Sequence, residues 1–400
     1  MRTNEQITSH FFTNFNKTID DDFFEINIES VSNRHYLKKY NISSPLINDK
    51  SYLNSYISYE KNFSDSFFFS SAAVFEDLTK ESNDSYEYIY PSYIFNKDIY
   101  TNFGMLEINS KGHQTKYETN RYDGLIVNNI NFISNLNFTN KYLLNNYSII
   151  LKNVNSKGEN SNNFKEGNDN KLLGEYIFNS SLPLYKKKEK YSSYFTPKLS
   201  LRLSPTETRN ISTDDLRVNY ANLFSTNRIS LDDTLEGGES LTLGSEYSLR
   251  NNQDIEKFNL SLGQVFRKNV NKDLPEVSSI GNKRSDLIGA LKFTPNDIIN
   301  FNYSFSADKN MENLNYNLIE TEISYNNFFT SFNYLKSENI FGEKSHISNN
   351  TKFKFNDQNS ISLGTSKNLD KDLTEYYDLV YEYENDCLIA AVEYKKNYYS

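Results

Sequence analysis

The chain has 400 residues, of which 37% are hydrophobic and 15% aromatic, and its formal net charge is −9. This acidic balance disfavours a nucleic-acid-binding protein, which would carry a basic surface. No apolar run approaches the roughly 18 residues that a membrane helix needs, so a bundle of transmembrane helices is excluded. The 31 tyrosines and 29 phenylalanines disfavour disorder, because disordered segments are poor in aromatic residues.

Roughly twenty short stretches alternate between apolar and polar residues at every second position, the period of a β-strand. In chain order, the clearest are residues 24–29, 130–138, 198–203, 299–306, 328–334 and 352–355. In the segment 299–306 every odd residue is Ile, Phe or Tyr, and every even residue is Asn or Ser. A strand with one apolar and one hydrogen-bonding face separates two environments. Repeated in strands of about 9 to 11 residues, the pattern predicts an all-β fold, a large transmembrane antiparallel up-and-down β-barrel.

Charged side chains within these strands indicate which face meets lipid. Lys198, Arg202, Lys352 and Lys354 alternate with apolar residues. At mid-membrane each would cost roughly 2–4 kcal/mol on the lipid face, so we expect them to face the lumen. Many tyrosines and phenylalanines lie near the predicted ends of strands, as an interfacial girdle requires, and seven tyrosines are examples. They are Tyr376, Tyr377, Tyr381, Tyr383, Tyr394, Tyr398 and Tyr399.

Two classes of connection separate the strands. Residues 295–297 and 356–358 have the composition of tight hairpin turns. Residues 153–171, 206–234 and 270–284 are predicted to be long polar loops. Short turns at one rim and long loops at the other are typical of outer-membrane barrels. In the second loop, the sequence STDD at 212–215 resembles a capping box and predicts one helical turn.

Alternation also suits one-sided soluble sheets, so a β-sandwich, a β-helix or an adhesin stays open as an alternative. A secreted or surface β-rich binding protein belongs to the same class. A sandwich would rarely place so many strands in one unbroken sheet, which favours a barrel. A general porin or transporter barrel remains the other alternative.

No constellation for catalysis is recognisable, and we predict neither an enzyme nor a metal or organic cofactor. His10, His35, His113 and His346 are widely separated and lack metal-ligand spacing. Walker, Rossmann and G-x-S-x-G motifs are absent, and Gly237-Gly238 is interpreted as a turn leading into a strand. A barrel lipase would need a serine and a histidine on neighbouring strands, which sequence cannot establish.

A basic run, KKKEK at 186–190, has two interpretations. It is either a solvated turn or a cluster of ammonium groups at a membrane rim that binds lipid phosphates.

Several segments resemble the C-terminal barrel of the LPS-assembly outer-membrane protein family, LptD, also called the organic-solvent-tolerance family. Residues 196–205, TPKLSLRLSP, match its strand motif, and LFSTNRIS at 223–230 leads to two aspartates. EGGESLTLG at 236–244 resembles the acidic-Gly-Gly turn of the family and the strand after it. VSNRHYLKKY at 31–40 and NDCL at 385–388 resemble an upstream segment and the segment with the C-terminal cysteines.

The resemblance implies an outer-membrane protein of a Gram-negative bacterium that inserts lipopolysaccharide into the outer leaflet. Its implied partners are lipopolysaccharide, a plug lipoprotein inside the barrel and a periplasmic LPS-transport bridge. An N-terminal periplasmic β-jellyroll domain holds the acyl chains in this family. The sugar portion passes through the lumen, while lipid leaves sideways between the first and last strands.

The chain departs from the family pattern in several places. We expect residues 1–400 to be a partial barrel domain, since no jellyroll, secretory signal or aromatic-ended closing strand is recognisable. Asn33 stands where the family suggests Asp, and the paired cysteines appear as Cys387 and Leu388. The resemblance implies a disulfide from Cys387 to the absent N-terminal domain, and a buried unpaired thiol is the alternative.

Overall fold

A computed structural model describes residues 8–40, 42, 46–47, 49–80, 85–139, 142–339 and 342–397. These residues form 22 strands of one antiparallel sheet. Helix is confined to the four-residue α1 (Tyr36–Lys39) and a 3-10 turn at Glu276–Ser278 within the described ranges. In this part of the chain, no helix has both the length and the apolarity that crossing a membrane requires.

The chain divides into two compact units, the first comprising residues 1–135, 148–174 and 232–234. The strands of this unit, in chain order, are β1 (His10–Ile19), β2 (Asp22–Val31), β3 (Tyr52–Asn62), β4 (Ser66–Asp77), β5 (Tyr86–Tyr100), β6 (Gly104–Tyr117) and β7 (Tyr122–Ser134). Most of β9 (Leu143–Glu159) and the first half of β10 (Gly167–Ser181) complete it.

The second unit comprises residues 136–147, 175–231 and 235–400. Its strands begin with β8 (Asn137–Thr139), β11 (Leu184–Lys187), β12 (Tyr191–Ser204), β13 (Gly238–Asn251), β14 (Glu256–Arg267), β15 (Leu287–Phe293) and β16 (Ile299–Ala307). They continue with β17 (Leu314–Tyr325), β18 (Phe328–Asn339), β19 (Gly342–Lys354), β20 (Asn359–Asn368), β21 (Leu373–Glu384) and β22 (Ile389–Asn397).

Consecutive strands pair in a simple meander. The pairs run from β1–β2 to β6–β7, then β7–β9, β9–β10 and β10–β12, and onward to β21–β22. The short strands β8 and β11 lie beside the first residues of β9 and β12. Among the described residues, β1 pairs with β2 alone and β22 with β21 alone. The predicted all-β, antiparallel, up-and-down fold is confirmed.

Exposure alternates along the strands in the sense opposite to that of a soluble sheet. In β7, Ile126 and Ile130 are 40% and 45% exposed, whereas Asn131 is only 5% exposed. In β13, Leu243 is 42% exposed, while Thr242 is 1% exposed. A soluble one-sided sheet would bury its apolar face and hydrate its polar face. The covered polar face, hereafter the inner face, therefore indicates a sheet whose outer face meets lipid.

The connections of the second unit differ between its two edges. One edge has the short turns 188–190, 252–255, 294–298, 326–327, 355–358 and 385–388. The other edge has the long connections 205–237 and 268–286, together with the turns 308–313 and 369–372. Both predicted tight turns and two of the three predicted long loops are therefore confirmed, each at the expected kind of edge.

Two local predictions are wrong. Residues 153–171 are mostly strand, since β9 ends at Glu159 and β10 begins at Gly167. Their asparagines hydrogen-bond to one another, as when Asn153 donates to Asn170 across 3.3 Å, so the polar composition is that of a strand face. Residues 212–215 form a turn and no helix, because the Ser212 hydroxyl donates to the Asn210 side chain (2.8 Å) and does not cap.

Candidate functional site

The inner face of β12 and β13 is covered by the two long connections. We call residues 205–231, 235–237 and 268–286 the loop lobe. Arg202, on β12, donates through Nη2 to the carbonyl of Ser225 (2.7 Å) and through Nη1 to that of Thr226 (3.0 Å). Nη1 also meets Oε1 of Glu175 on β10, at 2.7 Å. One strand arginine therefore ties the loop lobe to two strands.

Glu236 is the centre of a second buried ionic cluster. Arg228 grips its carboxylate with two hydrogen bonds of 2.5 Å, from Nε to Oε2 and from Nη2 to Oε1. Arg267, the last residue of β14, donates to Glu236 Oε1 and to the carbonyl of Gly237. Nη1 of Arg228 reaches the Thr242 hydroxyl on β13, at 2.8 Å. The three charged side chains are each 1% exposed, so water does not screen their attraction.

The electrostatics of this cluster keep Glu236 ionised. Burial by itself would raise the pKa of the carboxyl, but the guanidinium groups of Arg228, Arg202 and Arg267 hold it well below its usual range. Bidentate arginine–carboxylate pairing also fixes the geometry of both partners. The cluster is therefore a charged clasp at the point where the connection 205–237 returns to the sheet.

Close backbone packing explains the two glycines after Glu236. A Cβ atom on Gly237 would overlap the carbonyl oxygen of Thr206, and Gly238 has a φ of +91°, which favours glycine. The N–H of Gly237 donates to the Thr208 hydroxyl oxygen at 2.8 Å. Asn271 of the other connection donates to the same oxygen at 3.0 Å and so joins the two halves of the loop lobe.

Apolar residues form the core of the loop lobe. The members of this core are Ile211, Val218, Tyr220, Leu223, Ile229, Val265, Leu274, Ile280 and Ile288. Val265 and Ile288 come from β14 and β15, and the others come from the two long connections. The lobe thus has the packing of a small domain, although no sheet of its own is present within its described residues.

A pair of strand glycines makes room for this core. Gly244 and Gly263 lie opposite each other in the β13–β14 ladder. A Cβ on Gly244 would stand 2.7 Å from the ring of Phe224, and one on Gly263 would overlap the side chain of Leu223. Since real Cβ atoms do not approach so closely, the glycine pair leaves the recess that these two lobe residues fill.

The tip of the connection 205–237 belongs to the first unit. There, Lys152 on β9 donates to the Thr234 carbonyl at 3.2 Å, and Lys111 on β6 forms an ion pair with Asp232. In that unit the tip is thus held by lysines from two strands.

Comparison with known families identifies the chain. A family model described as LptD, LPS transport system D, matches residues 2–371. The chain belongs to the LptD family. The resemblance to this family is therefore confirmed, and the family indicates lipopolysaccharide transport at the outer membrane.

Other comparisons add little to the LptD assignment. Among solved structures, the siderophore receptor PirA from Acinetobacter baumannii aligns with a TM-score of 0.40 and 7% identity. The alignment covers 97% of this chain and 67% of that receptor, and a likeness this weak carries no argument. A search of curated protein sequences found no match.

In this LptD-family chain, Lys198 and Arg202 lie on the inner face, as the sequence predicts. Lys198 pairs with Glu246 at 2.5 Å, and its Nζ lies 5.7 Å from the ring centroid of Phe224 in the loop lobe. It therefore shares the inner face with Arg202. Lys352 pairs with Glu382 on β21 at 3.0 Å.

Of the girdle tyrosines, Tyr376 and Tyr377 are consecutive in β21 and so point to opposite faces, while Tyr398 and Tyr399 lie outside the described residues.

Cys387 lies in the turn between β21 and β22, at the short-turn edge of the second unit. Its side chain is exposed, so the alternative of a buried thiol is wrong for this chain as described. The turn is fixed by Asn385, whose side-chain oxygen accepts the N–H groups of Cys387 (3.0 Å) and Leu388 (2.8 Å). The thiol is held in an ordered, accessible turn.

One arrangement resembles a hydrolase triad but lacks its chemistry. On the second unit, His346 contacts Ser366 through Nε2 (3.3 Å) and Glu375 through Nδ1 (3.5 Å). The Ser366 hydroxyl, however, donates to Glu375 at 2.5 Å, so its proton points away from the imidazole that would have to accept it. His10, His35 and His113 lie elsewhere, and within the described residues no three His, Cys, Asp or Glu side chains could hold a metal.

The basic run 186–190 spans the end of β11 and the turn before β12, at the short-turn edge. Tyr185 and Tyr191 beside it are 55% and 51% exposed. This placement agrees with both of its interpretations, and lipid binding stays a prediction.

Sequence reasoning missed the charged clasp of Arg228, Glu236 and Arg267. The family motif included Glu236-Gly237-Gly238, but only as a turn. The acidic residue before two glycines was the available signal, and its partners lie 8 and 31 residues away in the chain.

Proposed function

We propose that this LptD-family chain is the membrane domain of an outer-membrane translocon that inserts lipopolysaccharide into the outer leaflet. The family match over residues 2–371 carries the proposal. It is supported by strands whose outer face is apolar and exposed and whose inner face is polar and covered. The residues 1–400 would act as the barrel domain of a larger assembly.

The division of faces suits an amphiphilic cargo. Asparagine, serine and charged side chains of the inner face can hydrogen-bond sugars, whereas the acyl chains need an apolar route. Lipid leaves sideways through a weakly paired seam between the first and last strands, because an opening elsewhere would leave backbone groups unsatisfied in hydrocarbon. We infer that the loop lobe narrows the sugar route and is moved, or bypassed, during transfer.

Two partners belong to the proposal. A plug lipoprotein would occupy the lumen beside the loop lobe, and a periplasmic bridge would deliver the cargo through an N-terminal β-jellyroll domain. The exposed Cys387 supports a disulfide to that domain, since the short-turn edge on which it lies is the periplasmic edge of outer-membrane barrels. Thiol labelling of the full-length protein should rise on adding reductant. Equal labelling with and without reductant would refute the disulfide.

Depletion in the native host tests the function. When expression is switched off, newly made lipopolysaccharide should stop reaching the cell surface and accumulate in the inner membrane. A plasmid copy of the full-length gene should restore delivery. Unchanged surface lipopolysaccharide during depletion would overturn the proposal.

Two further measurements separate the rival functions. Steady ion conductance in planar bilayers, without a co-purifying lipoprotein, would favour a general porin. Solubility without detergent and migration on a gel that heating leaves unchanged would favour a soluble surface protein.

A further inference from the structure

A cavity of about 440 Å³ opens at the long-connection edge of the second unit. It lies between the end of the connection 268–286 and the turn 308–313. Lys283, Arg284 and Lys309 contribute to its wall, as do the carboxylates of Asp286 and Asp308. Its volume is within the range of about 300–1,000 Å³ for small-molecule sites.

The three cations of this wall have no acidic partner among the described residues. Lys283, Arg284 and Lys309 are exposed and form no ion pair within the described ranges, whereas Lys268, earlier in the same connection, pairs with Glu239 at 2.8 Å. The backbone of Lys283 and Arg284 is nevertheless anchored. The Lys283 carbonyl accepts the N–H of Arg267 at 2.9 Å, and Arg284 bridges to Phe266 of β14. The three cationic side chains are therefore free to bind a ligand, while the backbone that carries Lys283 and Arg284 is fixed.

Both carboxylates of the wall are already engaged by neutral donors. Oδ2 of Asp286 accepts the Ser306 hydroxyl (2.9 Å) and the Asn315 amide (2.8 Å). Oδ1 of Asp308 accepts the backbone N–H groups of Asn310 (3.1 Å) and Glu312 (2.9 Å). These bonds hold the two carboxylates in place. The wall thus offers three cations without an acidic partner among the described residues, beside carboxylates that already accept hydrogen bonds from neutral donors.

We propose that this cavity binds a phosphoryl group of the glycolipid cargo, an inference that rests on the proposed function. An arginine fork with two lysines matches a tetrahedral, doubly charged anion, which accepts several charge-assisted hydrogen bonds. Long connections mark the outer edge of an outer-membrane barrel. A phosphorylated sugar leaving the inner face at that edge would therefore meet these cations.

Binding to the full-length protein in detergent tests the site. The probes are bisphosphorylated lipid A, the same lipid A with its phosphates removed, and inorganic phosphate. In the triple variant K283Q/R284Q/K309Q, affinity for the phosphorylated lipid should fall by about tenfold or more, as loss of charged hydrogen bonds implies. Affinity for the phosphate-free lipid should stay at the wild-type value. K309Q alone, which alters only the turn 308–313, should show a smaller fall in the same direction.

A control within the same connection is available. K268Q/K272Q removes two exposed lysines that do not line the cavity, and it should bind phosphorylated lipid A as wild type does. Equal affinity in the pocket triple and wild type would overturn the site. Inorganic phosphate that competes as strongly as the lipid would overturn the glycolipid assignment and leave a free-anion site. If depletion stops surface delivery but the pocket triple binds phosphorylated lipid A as wild type does, only the pocket inference has failed.

Discussion

Replacing Glu236 by Gln should release the loop lobe from the sheet. The amide keeps the volume of the carboxyl but removes the negative charge that Arg228 and Arg267 share. Both guanidinium groups would then be buried without a counter-ion at that position. We expect the strands to stay paired, because Glu236 itself lies outside the sheet, two residues before β13 begins at Gly238.

The size of the effect follows from burial. Removing one partner of a buried ion pair costs about 3–5 kcal/mol, because the remaining charge is uncompensated. The side chains of Glu236, Arg228 and Arg267 are each 1% exposed, which places this pair in that class. At about 1.4 kcal/mol per factor of ten, the open population of the lobe should rise by about two to four orders of magnitude.

Limited proteolysis in detergent micelles measures this population. When opening and closing are fast, cleavage within residues 205–231 follows the open fraction. Glu239→Gln is the matched control, since Glu239 lies three residues on and its pair with Lys268 is exposed to solvent. Equal cleavage rates in E236Q and E239Q would show that the ionic cluster does not hold the lobe.

The same clasp predicts a pH dependence. The pKa of Glu236 is depressed in the folded lobe relative to its ordinary value of about 4.5. A depressed acid contributes stability above its unfolded pKa, and the contribution is lost as pH falls through the folded value. Lobe protection should therefore be constant between about pH 5 and 8 and weaken below about 4.5 in wild type. In E236Q, this acid-dependent component should be absent.

Three further predictions concern packing and lipid contact. Leu223→Ala should leave a cavity in the lobe core and lower the free energy of lobe opening by about 2–5 kcal/mol, measured by hydrogen exchange of residues 205–231. Leu243→Ala, on the exposed outer face, should leave that exchange unchanged. Gly237→Ala should lower the folding yield and the protection of the lobe from hydrogen exchange, because the new Cβ would overlap the Thr206 carbonyl. Gly364→Ala should be tolerated, because its Cβ would lie 3.5 Å from its nearest neighbours. If the run 186–190 binds lipid phosphates, native mass spectrometry of K186Q/K187Q/K188Q should find fewer retained anionic phospholipids, and an unchanged lipid count would favour the solvated turn.

Much of the architecture of this LptD-family chain is local information. Alternation at period 2 is a property of neighbouring residues, so the segment 299–306 predicts both a strand and its two faces. The same holds for Lys198 and Arg202, whose placement on the inner face follows from the cost of a charge in lipid. Turn residues at 295–297 and 356–358 likewise need no distant partner to end a strand.

Tertiary structure decided where polar residues find their partners. The asparagines of 153–171 suggest a loop until β9 and β10 are aligned, because only then do their amides pair. Glu236 lies 31 residues from Arg267 in sequence, and the burial that makes their pairing strong exists only after the loop lobe packs. The recess for Phe224 depends on Gly244 meeting Gly263 in register. Strand register and contacts between residues far apart in sequence exist only in the folded chain, so no local pattern could have predicted the clasp, the recess or the cavity.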